Sequence, residues 1–230
     1  MSVGATPSLN FIGDTVGDTS PHSMSEMRGI RFASGNSPTS GAISLSDFRN
    51  QVLTKVFLEQ QKIQASDKQQ GDEFGASVSI SSDGSYAIVG ARNEDAGGTT
   101  DAGAAYIFKR TNGTWSQQQK IQASDKQQPD NFGYSVSISS DGSYAIVGAR
   151  YEDEYRGAAY IFKRTNETWS EKQKIVASDK GALYDYFGHT VSISGDGSYA
   201  IVGANFQDAG GFNTGAAYIF KRTNETWSEK

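Results

Sequence analysis

The 230-residue sequence has no cysteine, so disulfides and thiolate metal sites are excluded. Histidine is nearly absent, with only His22 and His189, which leaves little material for imidazole catalysis or metal ligation. Proline is scarce, at 4 residues. Positive charge is in deficit: 21 Lys and Arg stand against 26 Asp and Glu, for a net charge of −5. A chain of that sign without a basic stripe gains little from counterion release, which argues against a nucleic-acid partner. No stretch approaches the ~18 apolar residues of a membrane-spanning helix, so no membrane insertion is expected. The opening MSVGATPSLNFIGDTVGDTS lacks both a basic start and an apolar core, and does not read as a secretory signal. G-x-S-x-G, H-E-x-x-H and P-loop motifs are all missing. The position of His189 is occupied by Ala76 and Tyr134 in the other copies of the repeat described next, so it reads as a surface or satisfied core residue and not a catalytic base. No cofactor, no metal and no enzymatic activity are expected.

What the sequence does have is glycine, at 26 residues, and self-similarity. QKIQASDKQQGDEFGASVSISSDGSYAIVGA, beginning at Gln61, returns with small changes at Gln119 and again at Gln173. Each copy closes on GAAYIFKRTN followed by Gly-Thr-Trp or Glu-Thr-Trp, at Trp115, Trp169 and Trp227. Repeats at such a period identify architectures built by stacking one supersecondary unit. Within a copy, four strands are expected: QKIQAS, SVSIS, YAIVGA and GAAYIFKR. Val78 and Ile80 alternate with serines, the period of a half-buried strand. The last two runs are continuously apolar, as in strands covered on both sides. Asp83-Gly84, Asp141-Gly142 and Asp196-Gly197 predict two-residue hairpins with both residues at positive φ. Asn112, Asn166 and Asn224 begin Asn-x-Thr triplets that read as tight turns and not as glycan acceptors. Four antiparallel strands per ~55 residues describe a propeller blade.

The Phe-Gly pairs Phe74-Gly75, Phe132-Gly133 and Phe187-Gly188 are each followed, 14 residues on, by Gly-Ala. This pattern, over roughly residues 57–230, resembles the FG-GAP repeat of integrin α-subunit propellers and of many bacterial and viral surface proteins. It departs from the family pattern at Arg92, Arg150 and Asn205, where the motif would place proline. The resemblance implies an all-β fold of three blades, about 57–115, 115–169 and 169–230, not closed by this chain alone. Many members hold Ca²⁺ in a loop with several acidic side chains, as a cation needing six to eight oxygens requires. The matching segment here offers one carboxylate, Asp83, Asp141 or Asp196, so the resemblance does not carry calcium over. The end of the sequence falls part-way through a further strand, which leads us to expect either more blades or pairing with another subunit.

Residues 1–55 read as an extended Ser/Gly/Thr-rich arm, with a short amphipathic helix near 44–56 carrying Leu45, Phe48, Val52, Leu53 and Val56. GAISLSDFRNQ within it looks like short segments near the N-termini of virion and tail-associated proteins. That leads to the expectation of a non-enzymatic virion structural or host-attachment component, located in the virion. The alternative is an adhesion module, extracellular or at the cell surface. Expected partners are other structural proteins of a particle, further copies of this chain, or a host surface protein or glycan.

Antiparallel succession puts the segment before each Phe-Gly and the segment after each Gly-Ala on one face. Both vary between copies while the strands do not. Loops on a rigid scaffold are where recognition usually sits. The candidate binding residues are therefore Glu94, Asp95 and Asp101 in the first copy, Tyr151, Glu152, Asp153, Tyr155 and Arg156 in the second, and Phe206, Asp208 and Phe212 in the third.

Overall fold

The computed structural model describes residues 59–95, 97–179, 183–208 and 211–230. The expected arm and its helix near 44–56 lie outside them. Twelve strands form three separate four-stranded antiparallel sheets. The first holds β1 (Phe74–Ile80), β2 (Tyr86–Ala91), β3 (Ala104–Thr111) and β4 (Thr114–Ile121). The second holds β5 (Phe132–Ile138), β6 (Tyr144–Ala149), β7 (Ala158–Thr165) and β8 (Thr168–Ile175). The third holds β9 (Phe187–Ile193), β10 (Tyr199–Ala204), β11 (Ala216–Thr223) and β12 (Thr226–Glu229). Strand order follows chain order in every sheet, and the all-β blade architecture expected from the repeat is what forms.

Sheet and sequence copy are out of phase by one strand. The QKI that opens the second copy forms the end of β4, where Gln119 and Lys120 pair with Ile107 and Tyr106 of the first copy. The QKI of the third copy ends β8 in the same way. In the first copy QKIQAS is not a strand: residues 59–65 take up no ladder. Gln61 instead binds by its side chain. Its Nε2 donates to the Trp115 carbonyl at 2.8 Å and its Oε1 accepts from the Trp115 amide at 2.8 Å. Gln119 clamps Trp169 and Gln173 clamps Trp227 in the same two-bond fashion. A glutamine amide thus stands in for a ladder rung at the edge strand of the next sheet.

The turns also differ from expectation. The Asp-Gly segment is not a two-residue hairpin. Ser81 pairs with Tyr86, leaving four residues in the loop, and only Gly84 has positive φ, at 63°. The polar side chains build this longer turn themselves. Asp83 Oδ1 accepts from the Ser85 amide at 2.9 Å and from the hydroxyls of Ser81 and Ser85 at 2.7 and 2.8 Å. Ser81 Oγ in turn accepts from the Tyr86 amide at 3.0 Å. The two-residue hairpin with both residues left-handed lies instead between β3 and β4, at Asn112 (φ 51°) and Gly113 (φ 82°). The later copies place Glu167 and Glu225 at that second position, at φ 67° and 65°. Each glutamate gains contacts in return. Glu167 accepts from the Tyr86 hydroxyl at 2.8 Å and from Lys109 Nζ at 2.7 Å, both on the preceding sheet. Glu225 holds Tyr144 and Lys163 likewise.

The sheets stack face on face. Tyr86, Ile88, Ile107 and Ile121 of the first sheet pack with Phe132, Val136, Ile138, Val147 and Tyr160 of the second. Tyr144, Ile146, Ile161 and Ile175 of the second pack with Phe187, Ile193, Val202, Tyr218 and Trp227 of the third. The Phe-Gly pair locks each junction. Phe132 is fully buried, edge-on to Tyr160 and Phe162 at 5.5 and 5.9 Å. Glycine lets the backbones touch: a Cβ on Gly90 would sit 2.0 Å from the Gly133 carbonyl oxygen, and one on Gly148 2.1 Å from that of Gly188.

Candidate functional site

The two variable segments do come together. Within a blade, the Asn93 amide donates to the Asp72 carbonyl and the Tyr151 amide to the Asp130 carbonyl. Between blades, the Asn131 amide reaches the Asp101 carbonyl at 3.1 Å and the Tyr186 amide reaches that of Tyr155 at 3.1 Å. Gly103 and Gly157 bridge in parallel to Phe132 and Phe187, so each loop is tied to the entry of the next blade.

The candidate residues divide by direction. Glu94 and Glu152 are buried, at 2% and 7% exposure. Each ion-pairs with a lysine at the end of the blade's last strand, Glu94 with Lys120 and Glu152 with Lys174. Lys120 also meets Asp67, and Lys174 meets Asp125, both at 2.7 Å. Asp67 and Asp125 accept from the hydroxyls of Tyr106 and Tyr160 at 2.9 and 2.8 Å. Burial lowers the proton affinity of these lysines, but the hydrogen bonds that each donates to its two flanking carboxylates outweigh it and hold both above their ordinary range. Burial, reinforced by the same aspartates, keeps the two phenols protonated. In the third copy Gln207 replaces the glutamate and donates to Asp179 at 3.2 Å. These groups brace the blades from inside.

The outward set is different. Asp95 accepts from the Asp101 amide at 3.1 Å and Asp208 from the Asn213 amide at 2.6 Å, so both shape their own loops. Asp153 and Glu154 lie on the surface around Arg156, at 3.6 and 3.4 Å. The segment Glu152–Tyr155 is a single left-handed turn: Asp153, Glu154 and Tyr155 all have φ between 52° and 69°. Such a conformation costs about 1–2 kcal/mol per residue outside glycine. This is the shortest of the three loops, and the turn lets Glu152 reach Lys174 inside while the Tyr151 and Tyr155 rings meet edge to face outside, 4.9 Å apart.

Those rings begin a continuous aromatic surface. Tyr151 meets Tyr186 at 5.7 Å, Tyr155 stacks on Tyr184 at 5.1 Å, and Tyr186 meets Phe206 at 5.4 Å. The Arg150 guanidinium lies 3.9 Å from the Tyr134 ring centre and 4.3 Å from that of Tyr151, a cation–π sandwich at one end. His189 packs against Tyr134 at 5.2 Å; burial first, and Arg150 second, hold it below the ordinary histidine range. Between the second and third blades the surface opens into a cleft of about 720 Å³, with Tyr151, Tyr155 and Tyr184 on its walls and Asp130, Asp153 and Glu154 at its margin. Tyr184 also lines an adjoining hollow of about 320 Å³ with Leu183, Tyr186, Phe206, Asp208 and Phe212. Asp95 and Asp101, on the first blade, take no part. Tyr184 and Tyr186 were not among the sequence candidates. The signal was available in the third copy, where SDKQQ-x-D-x-FG becomes SDKGALYDYFG.

Burial pushes the Asp130 carboxyl up to about 6, partly offset by the Gln127 amide that it accepts. At the Asp-Gly turns the opposite holds: hydrogen bonds from Ser81 and then Ser85 draw Asp83 down to about 2. Its coordinating oxygen is already satisfied by its own turn. Among the described residues no three acidic or histidine side chains converge as a metal ion would require.

A family model described as the FG-GAP repeat matches residues 57–108, 115–162 and 169–220. No curated protein matches the chain. Among solved structures it is similar to the periplasmic gluconolactonase PpgL of Pseudomonas aeruginosa, at 18% identity and a TM-score of 0.45, over 64% of this chain and 39% of that one. It is also similar to TolB from Acinetobacter baumannii, at 15% identity and a TM-score of 0.40, over 66% of this chain and 31% of that one. The hydrazine synthase of Kuenenia stuttgartiensis aligns at 13% identity and a TM-score of 0.44, over 74% and 38%. The chain spans well under half the length of each of these proteins. With three matched repeats covering most of its length and three blades locked by Phe-Gly pairs, the chain belongs to the FG-GAP repeat family.

Proposed function

We propose that this chain is a non-enzymatic recognition module of a virus or phage particle, structural or host-attaching, that engages a surface protein or glycan through the tyrosine-lined cleft of its second and third blades. The observation that carries the reading is the series of contacting rings Tyr151, Tyr155, Tyr184, Tyr186 and Phe206, on variable loops that join strands which barely change between copies. Tyrosine supplies large rigid contact area with a polar tip, at low entropic cost. Tyr184 and Phe206 remain 53% and 40% exposed, surface that a partner would cover. The acidic margin suits sugar hydroxyls or a basic protein patch. The particle assignment is supported by the GAISLSDFRNQ similarity at residues 41–51, and a cellular adhesion module is its competitor.

The test is a glycan array and host-cell binding with the full chain and with Tyr155→Ala/Tyr184→Ala. Binding by the parent that drops at least tenfold in the variant, at unchanged melting temperature, is the expected result. Equal binding by both would place the site elsewhere. Absence of any binding, together with tight association to particles, would exclude attachment and leave a scaffolding role.

A further inference from the structure

The two outer faces of the blade stack are chemically the two halves of its inner junctions. On the first sheet, Val78 and Ile80 are 68% and 59% exposed. Their equivalents in the second, Val136 and Ile138, are 8% and 6% exposed because they pack on the first sheet. On the third sheet, Tyr199, Ile201 and Ile219 are 44%, 43% and 48% exposed and line an apolar hollow of about 450 Å³. Their equivalents Tyr86, Ile88 and Ile107, and again Tyr144, Ile146 and Ile161, are buried to 4% or less under the following blade. The residue types are the same at every one of these positions.

We propose that a second copy of this chain seats its first blade on the third blade of the other, head to tail, with two such contacts closing a six-bladed ring. The internal junctions serve as the template. They occur twice in the chain between these same surfaces, so shape and polarity are already known to fit. The polar rungs are also in place. Ser77 Oγ and Ser135 Oγ each donate to the glycine carbonyl of the next Phe-Gly pair at 2.8 Å, and Thr190 holds the matching hydroxyl. Ser79 and Ser137 accept from the amides of Ile138 and Ile193 at 3.2 Å, and Ser192 stands in that place on the third sheet. Six blades fall within the usual range of closed propellers, and a head-to-tail contact is the kind that generates rings. Some contacts of the template are missing. The described β12 (Thr226–Glu229) stops short of the isoleucine that Ile121 and Ile175 supply to the inner junctions and of the glutamine that clamps the next blade's tryptophan. Gly113 stands where Glu167 and Glu225 hold the tyrosine and lysine of the preceding sheet, so the junction between copies lacks that ion pair. The association is therefore weaker than the internal junctions and reversible on dilution.

Light scattering across a concentration series of the full chain tests this. A species of twice 24.7 kDa that dissociates on dilution is expected. Two variants then test polarity: Val78→Asp/Ile80→Asp blocks one face, and Ile201→Asp/Ile219→Asp blocks the other. Because these side chains are exposed in the single chain, both variants should keep the parental circular dichroism. Each alone should be monomeric, and an equimolar mixture should recover a dimer through its one intact pair of faces. A parent that is monomeric at all concentrations, or a mixture that fails to associate, overturns the proposal. The outcome is independent of glycan or host-cell binding, which uses a different face.

Discussion

At the scale of the residue, buried carboxylates decide more than exposed ones. Asp72, Asp130 and Asp185 occupy one repeated position and are all 5% exposed or less. The proton affinity of Asp130 is raised, to about 6 from an ordinary 3.8, by burial first and with Glu152 and Asp125 adding to it. The folded state therefore binds this proton more tightly than the unfolded chain. Its stabilising contribution is complete below about 3.8 and is lost as the pH rises through about 6. Asp130→Asn keeps an oxygen for the Gln127 amide and removes the titration. We expect the variant to gain on the parent by about 1 kcal/mol between pH 5 and pH 7.5, since only the part of the 3.8-to-6 interval above pH 5 titrates in that range, read from paired melting curves. A constant difference across that range would show that Asp130 ionises without penalty. None of this was legible in the sequence, where Asp130 sits among glutamines and a proline and reads as loop surface. Glu94 and Glu152 were misleading for the same reason. A carboxylate in a variable loop reads as solvated, and only the lysine two strands away reveals that it is enclosed.

Elements were far more legible. The alternation in SVSIS and the apolar runs YAIVGA and AAYIFKRT become strands in every sheet, but only the second sheet has the expected burial throughout; Val78 and Ile80 on the first sheet and Tyr199 and Ile201 on the third are exposed, because no described blade covers those faces. The turns were harder, since Asp-Gly signals a reversal without specifying its length. Serine hydroxyls on both sides of Asp83 stabilise a four-residue loop, and Asn112-Gly113 takes the two-residue form. The junction between sheets gives the sharpest test. Gly148→Ala would drive a Cβ to within 2.1 Å of the Gly188 carbonyl oxygen, a backbone atom that cannot rotate away. Gly203→Ala would meet chiefly the Thr190 hydroxyl at 2.4 Å, which can turn. In dilute solution we expect Gly148→Ala to cost about 1–3 kcal/mol or more and Gly203→Ala clearly less, by chemical denaturation. Equal costs would mean that the glycines serve strand geometry and not the approach of blades.

Across the whole molecule, stability is unequal by construction. Among the described residues only the second sheet is covered on both faces; Ile146, Val147 and Ile161 are fully buried, whereas Val78 and Ile201 on the flanking sheets are not. In a stack where each unit touches only its neighbours, the middle unit opens last. Amide exchange on the dilute chain should therefore be slowest in β6 and β7 and faster in β2 and β10. Matching rates in all three sheets at high dilution would contradict nearest-neighbour stability.

The one-strand offset between copy and sheet has a genetic consequence. Because the second and third copies each contribute one strand to the sheet before and three to the sheet after, excising or inserting a complete period between them leaves no strand without its ladder. The breakpoint within that stretch does not matter, since any window one period long there contains the same four strands in rotated order. DNA encoding stretches as alike as DGSYAIVGA and GAAYIFKRTN, each present three times, is open to slippage during replication. Loss or gain of a blade is then an in-frame event that the hydrogen-bonding scheme tolerates, and related genes are expected to differ in blade number before they differ in strand sequence.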